Sequence, residues 1–253
     1  MYLGNLKIFR KAILMVHGFA GGTYDLEPLS NYLELQHNFD VFEFTLPGHD
    51  KALFKCNYEE WIDFCSNKIE WLINQGYDTI YVVGHSMGGV ITTYLASQYK
   101  EIKKIVLLAP AFQYLKVKEE QLNVTDSIKT TPTLLKTYSA DLIMSKATKF
   151  TPTAVKEFMT LVKKYYKTPL DVSCPVYILQ GRNDNLVPVE SALYVYDNVK
   201  STQKRLMFVK DLTHEVCKGN DINAIFSEIK KFLKNGLPNG IYDLESSDIN
   251  ENR

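Results

Sequence analysis

Six short apolar runs recur along the chain with longer segments between them, and this alternation limits the fold more than any other feature. The runs are Ala12–Val16, Val41–Thr45, Thr79–Val83, Lys104–Leu108, Val176–Gln180 and Arg205–Val209. Most are rich in Val, Ile, Leu, Phe or Tyr, the composition of strands covered on both faces. The intervening segments carry a helical period. Tyr58–Asn74 sets Trp61, Ile62, Cys65, Ile69 and Leu72 three and four residues apart. Asp221–Lys234 repeats that rhythm with Ile222, Ile225, Phe226, Ile229, Phe232 and Leu233. Strand–helix–strand alternation predicts an α/β fold, with a mostly parallel, doubly wound sheet of about six strands and helices on both faces.

One interval breaks the rhythm. Residues 112–171 contain Pro132, Pro152 and Pro169 and no strand pattern. Thr151-Pro152 predicts a helix start, with Thr at the N-cap and Pro in the first turn. Val155, Phe158, Met159, Val162 and Tyr165 then line one side. An excursion of about sixty residues is too long for a plain loop and predicts a helical insertion over the sheet's edge. The core is then expected in 1–111 and 172–236. The segment 237–253 loses periodicity and turns acidic, and is expected to be a disordered tail.

Composition narrows the function. The 253 residues are 45% hydrophobic, enough for one substantial core. Basic and acidic residues both number 29, and nothing in that balance suggests a nucleic-acid partner, whose binding needs a concentrated positive surface. The run Lys163-Lys164-Tyr165-Tyr166-Lys167 reads as a solvated helix end. Cys56, Cys65, Cys174 and Cys217 show neither CxxC pairing nor metal-ligand spacing, and are expected to be free thiols in a reducing compartment. Lys7, Arg10 and Lys11 before Ala12–Val16 imitate a signal peptide, but His17 and Gly18 interrupt the apolar run. No stretch approaches the eighteen or so apolar residues of a membrane span. A soluble, cytoplasmic protein is expected; chain length leaves the oligomeric state undetermined.

The chemistry concentrates in Gly84-His85-Ser86-Met87-Gly88-Gly89, directly after an apolar run. This fits G-x-S-x-G, a sharp strand-to-helix turn that lifts the serine hydroxyl clear of the sheet and demands glycines two residues to either side. A helix over Val90–Tyr99 would aim its positive end at charge developing near Ser86. A serine nucleophile needs a base, and five histidines are available. His85 lies in the serine's own turn and is expected to point away from it. His37 reads as surface, while His17 and His49 occupy Gly-containing loops at strand ends where they can line a site. His214, after the last apolar run, is placed to reach across to the serine.

The imidazole then needs a carboxylate. Asp184, in the turn-rich loop after Val176–Gln180, is preferred to Asp211, which lies too near His214 in sequence to reach the ring without strain. For the oxyanion, the natural donors are the backbone N–H of Phe19, in His17-Gly18-Phe19-Ala20-Gly21-Gly22, and that of Met87.

These stretches together resemble the α/β-hydrolase superfamily. The order Ser86, Asp184, His214, with HGFAGG, LPGHD, GHSMGG and GRNDNLVP, is most similar to small bacterial carboxylesterases and monoacylglycerol-lipase-like enzymes. The resemblance implies a fold without the superfamily's first antiparallel strands, and makes the insertion after Ala109-Pro110 a cap that helps form an acyl pocket. Two positions depart from the pattern: Asp50 stands where glycine is frequent, and Thr213 precedes His214 where relatives carry Ser or Gly. The expected activity is hydrolysis of small-molecule carboxylic esters through an acyl-enzyme, with no cofactor or metal. Thioesterases, amidases and lipases would use the same triad. Epoxide hydrolases and dehalogenases carry Asp where Ser86 stands. A non-catalytic ligand-binding hydrolase fold is the alternative from another class. Tyr114, Tyr138, Tyr165 and Tyr166 are expected to pack rather than to bind.

Overall fold

In the computed structural model, which describes residues 10–36, 38–50, 56–113, 151–219 and 222–244, the apolar runs form one sheet. Its strands are β1 (Lys11–Val16), β2 (Phe39–Phe42), β3 (Ile80–His85), β4 (Ile102–Leu108), β5 (Val176–Gly181), β6 (Lys204–Val209) and β7 (Gly240–Leu244). All pair in parallel in the order β2-β1-β3-β4-β5-β6-β7. The helices are α1 (Glu27–Glu34), α2 (Tyr58–Asn74), α3 (Met87–Gln98), α4 (Pro152–Tyr165), α5 (Val189–Asn198) and α6 (Ile222–Asn235).

Strand alternation divides the core between two faces. Leu14, Val82, Ile105, Leu107, Ile178 and Leu206 pack against α2, α3, α4 and α5. Ile13, Met15, Tyr81, Val83, Val106, Leu108 and Leu179 face α1 and α6. Each fully buried aliphatic side chain contributes about 1.5–3 kcal/mol, so these two layers hold the frame on which the loops stand. Helix starts follow local signals. Asn57 accepts the Glu60 N–H at α2, and Thr151 accepts the Ala154 N–H at α4, with Pro152 in the first turn.

Register brings the carboxyl ends of the strands to one edge. Val16 lies opposite Gly84, His85 opposite Leu108, and Gly181 opposite Val209. From β1 the chain steps outward to β2 and then returns to β3 on the other side. The crevice between the loops after β1 and β3 is therefore the switch point at which open α/β sheets bind ligands.

Three expectations are corrected. β2 comes earlier than Val41–Thr45, because the chain leaves the ladder after Phe42 and turns until the Leu46 N–H meets His17 Nε2 at 2.9 Å. The helix after the serine begins at Met87 rather than Val90, so Gly88 and Gly89 lie inside its first turn. The core does not end at 236. Gly236 closes α6 in a left-handed conformation (φ 81°), and residues 240–244 return to pair with β6 as a seventh strand. β7 is an edge strand with alternate residues exposed, which left little apolar signal in the sequence.

His37, residues 114–150 of the insertion with Tyr114 and Tyr138, and residues 245–253 of the expected tail lie outside the described residues. Lys163, Lys164 and Lys167 are exposed at the end of α4. Tyr165 packs on Tyr94 and Tyr166 on Tyr194, and all four cysteines are free thiols. Among the described residues no helix is long and apolar enough to cross a membrane.

Candidate active site

At the end of β3 the backbone is forced through a conformation that side chains disfavour. Ser86 has φ 56° and ψ −118°, a left-handed position that costs about 1–3 kcal/mol in a residue with a Cβ. The surroundings hold it there. Its N–H donates to the Leu108 carbonyl at 2.9 Å, and its own carbonyl accepts the N–H groups of Gly89 (2.9 Å) and Ala111 (3.1 Å). The neighbouring glycines answer a steric demand. A Cβ on Gly84 would lie 2.3 Å from the Gly88 carbonyl oxygen, and one on Gly88 would lie 2.2 Å from that of Val16.

Three loops then converge on the serine. His214 Nε2 lies 3.0 Å from Ser86 Oγ, and His214 Nδ1 lies 2.8 Å from Asp184 Oδ2. With Nδ1–H donating to the carboxylate, Nε2 carries the lone pair that accepts the serine proton. Asp184 is fixed from the other side: its Oδ1 accepts the N–H groups of Leu186 and Val187, both at 2.9 Å. Gln180 Nε2 donates to Asp184 Oδ2 at 3.2 Å. Burial alone would raise the Asp184 pKa. The His214 interaction and these hydrogen bonds outweigh it, and the carboxyl lies below its ordinary range. The rival Asp211 is exposed.

The proposed oxyanion donors flank the same serine. Met87 opens α3, so no carbonyl of that helix can reach its N–H. The loop carrying Phe19 runs against the elbow, since a Cβ on Gly18 would lie 3.0 Å from Ser86 Cβ. The Phe19 ring stacks on Phe158 of α4 with centroids 5.0 Å apart, tying this loop to the described part of the insertion.

The other histidines have different work. His17 does not line the pocket. It is buried, donates from Nδ1 to the Gly18 carbonyl at 2.8 Å, and accepts the Leu46 N–H on Nε2. Burial and the neighbouring His49 push its pKa down to about 3. His49 is sealed between His17, Phe19 and Trp61.

His85 and Gln180 are two side chains that sequence reasoning missed. His85 Nε2 donates to the His214 carbonyl at 2.9 Å. Strand alternation carried a signal for it, because His85 falls on the same face as Tyr81 and Val83, where the His214 loop leads into α6. Gln180 is a fully buried polar residue at the end of an apolar strand. Such a residue must find hydrogen bonds, and it finds them at Asp184 and Val187.

A pocket of about 240 Å³ opens beside Ser86, with Phe19, Leu186 and Val216 on its apolar parts and Asn183, Asn185 and Thr213 on its polar rim. Among the described residues no three His, Cys, Asp or Glu side chains converge as a metal ion would require.

Comparison with known proteins identifies the family. Residues 8–221 match the model of the family described as serine aminopeptidase, S33. The chain belongs to this family. It is similar to a carboxylesterase of Bacillus subtilis (strain 168), at 25% identity over 88% of this chain and 92% of that one. It is similar also to the thermostable monoacylglycerol lipase of Bacillus sp. (strain H-257), at 26% identity over 80% and 82%. The solved Paleococcus ferrophilus monoacylglycerol lipase shares the fold, with a TM-score of 0.69 at 18% identity over 88% and 93% of the two chains. The family's α/β-hydrolase fold is thus that of this chain.

Proposed function

We propose that this chain is a serine hydrolase of small carboxylic esters, either short- to medium-chain acyl esters or monoacylglycerols. The observation that carries the reading is the unbroken hydrogen-bonded line from Ser86 through His214 to Asp184, at 3.0 and 2.8 Å. The carboxylesterase and monoacylglycerol lipase relatives support an ester over other acyl substrates.

Ser86 Oγ attacks the ester carbonyl carbon while its proton passes to His214 Nε2. The carbonyl oxygen becomes an oxyanion facing the N–H groups of Phe19 and Met87, each worth about 3 kcal/mol of barrier. The carbon–oxygen bond to the alcohol breaks, His214 returns its proton to the departing oxygen, and the acyl group stays on Ser86. Water then attacks the acyl-enzyme, giving its proton to His214, and the acid leaves as Ser86 regains its hydrogen. Asp184 stabilises the imidazolium in both halves. Residues 112–171 serve as the cap that shapes the acyl side.

Hydrolysis of p-nitrophenyl esters from acetate to palmitate, with Ser86→Ala as control, tests this. Wild-type turnover is expected, with a loss of about 10⁶-fold in the variant. Activity persisting in Ser86→Ala defeats the assignment. Silence on esters with covalent fluorophosphonate labelling of Ser86 redirects it to thioesters or amides, and silence with no labelling leaves a ligand-binding protein.

A further inference from the structure

The base of the proposed triad sits in a segment with no regular structure. From residue 210 to residue 219 the chain runs through turns and bends, and Thr213 and Glu215 on either side of His214 are exposed. The His214 ring is aimed by Ser86 and Asp184, but a ring is only as well placed as its main chain. The His214 carbonyl accepts two hydrogen bonds, from the Val216 N–H at 3.0 Å within the same loop and from His85 Nε2 at 2.9 Å. The second comes from the sheet. His85 lies at the end of β3, a central strand paired on both sides, one residue before Ser86. The His85 and His214 rings also lie against each other, with centroids 4.8 Å apart.

Packing alone does not account for an imidazole at this position. The face of β3 that carries His85 is otherwise apolar, with Tyr81 and Val83 before it. Donation from Nε2 leaves Nδ1 as an acceptor, and that atom is buried without a hydrogen-bond partner. An unpaired buried acceptor is unfavourable, and a phenyl or aliphatic group would avoid it. What histidine supplies there is the donor.

We infer that His85 is a positioning residue, whose Nε2–H clamps the His214 carbonyl to β3 so that nucleophile and base are referenced to adjacent residues of one strand. The inference rests on the reading of His214 as the general base. Burial and the nearby His214 lower the His85 pKa to about 4, so the clamp is neutral at working pH and places no second positive charge beside the imidazolium. A displacement of about 1 Å in such a constellation costs on the order of 100-fold in rate.

The test separates ring from donor in the full chain. His85→Phe keeps a ring without the donor. His85→Gln keeps an N–H at the same reach without the ring. On p-nitrophenyl acetate, His85→Phe is expected to lower kcat about 10- to 100-fold with KM within about threefold of wild type. The rate of fluorophosphonate labelling should fall by the same factor, because that reaction reports nucleophile activation without substrate turnover. His85→Gln is expected to recover kcat to within about fivefold of wild type.

Wild-type kcat in His85→Phe overturns the inference, as does a loss in His85→Gln equal to that in a folded His85→Phe. Should His85→Phe not fold, His85→Gln and His85→Met decide, being alike in length and differing in the donor; equal rates in those two overturn it. A wild-type protein that neither hydrolyses esters nor labels at Ser86 removes the reading of His214 and this inference together. Wild-type activity with indifferent His85 variants removes the inference alone.

Discussion

Two pairs of histidines sit at the same edge of the sheet, and they do opposite things. His17 and His49 lie with ring centroids 5.0 Å apart, and His85 and His214 lie 4.8 Å apart. In the first pair both rings are buried among Phe19, Trp61 and the loop backbone, and the His17 nitrogens are spent on main-chain groups. In the second, His85 spends only Nε2 on a main-chain carbonyl, but His214 opens to the pocket with a carboxylate behind it and a hydroxyl in front. Residue type and spacing are shared; access and a buried anionic partner are not. A histidine becomes a candidate base where one nitrogen is held by a carboxylate and the other is left facing a reactive group.

The sharpest way to break this contrast is to remove the carboxylate. Asp184→Asn is expected to lower kcat/KM for p-nitrophenyl esters by about 10⁴-fold, since a neutral amide no longer fixes the Nδ1–H tautomer. A variant within tenfold of wild type would mean that His214 needs no anionic partner.

His17→Phe probes the other pair. It keeps an aromatic ring but leaves the buried Leu46 N–H without its acceptor, for an expected loss of about 1–3 kcal/mol in urea unfolding. An unchanged midpoint would show that His17 only fills space.

The smallest effect per step is the pH dependence of stability. His17 and His85 remain neutral in the folded protein down to about 3 and about 4, whereas the unfolded chain protonates histidine near 6.5. Below that value the unfolded state binds more protons, so stability falls as pH falls, with a slope that approaches about 1.4 kcal/mol per pH unit for each residue. Urea midpoints between pH 6.5 and 5.5, above the range of ordinary carboxylates, should therefore decline. The decline should be shallower in His17→Phe. Equal slopes in the two proteins would mean that His17 is not held neutral.

Much of the frame was legible because it is written in short periods. The boundaries of α2 were read without error, and those of β3 and β5 to within two residues, because burial on a helix or a two-sided strand leaves a local pattern of apolar residues. β7 was missed for the converse reason, since an edge strand half open to solvent needs few apolar residues. The residues brought together around the elbow were legible in part. The glycines of GHSMGG record a steric demand within one turn, and Asp184 and His214 stand in loops just after strand ends. His85 and Gln180 were passed over because their partners, the His214 carbonyl and the Asp184 carboxylate, are supplied by other segments of the chain.

The sequence by itself determined the alternating α/β pattern, the elbow around Ser86 and the short list of residues from which a base and an acid could be drawn. Within that list the sequence also favoured His214 and Asp184, but only the tertiary structure decided how closely they meet the serine and which side chains hold their loops. Those contacts depend on parallel pairing, which carries the ends of β3, β5 and β6 to one level and brings residues 128 and 30 positions apart within hydrogen-bonding distance. No local period encodes such a separation, because the free energy that enforces it comes from the two buried faces of the sheet rather than from the loops that carry the site.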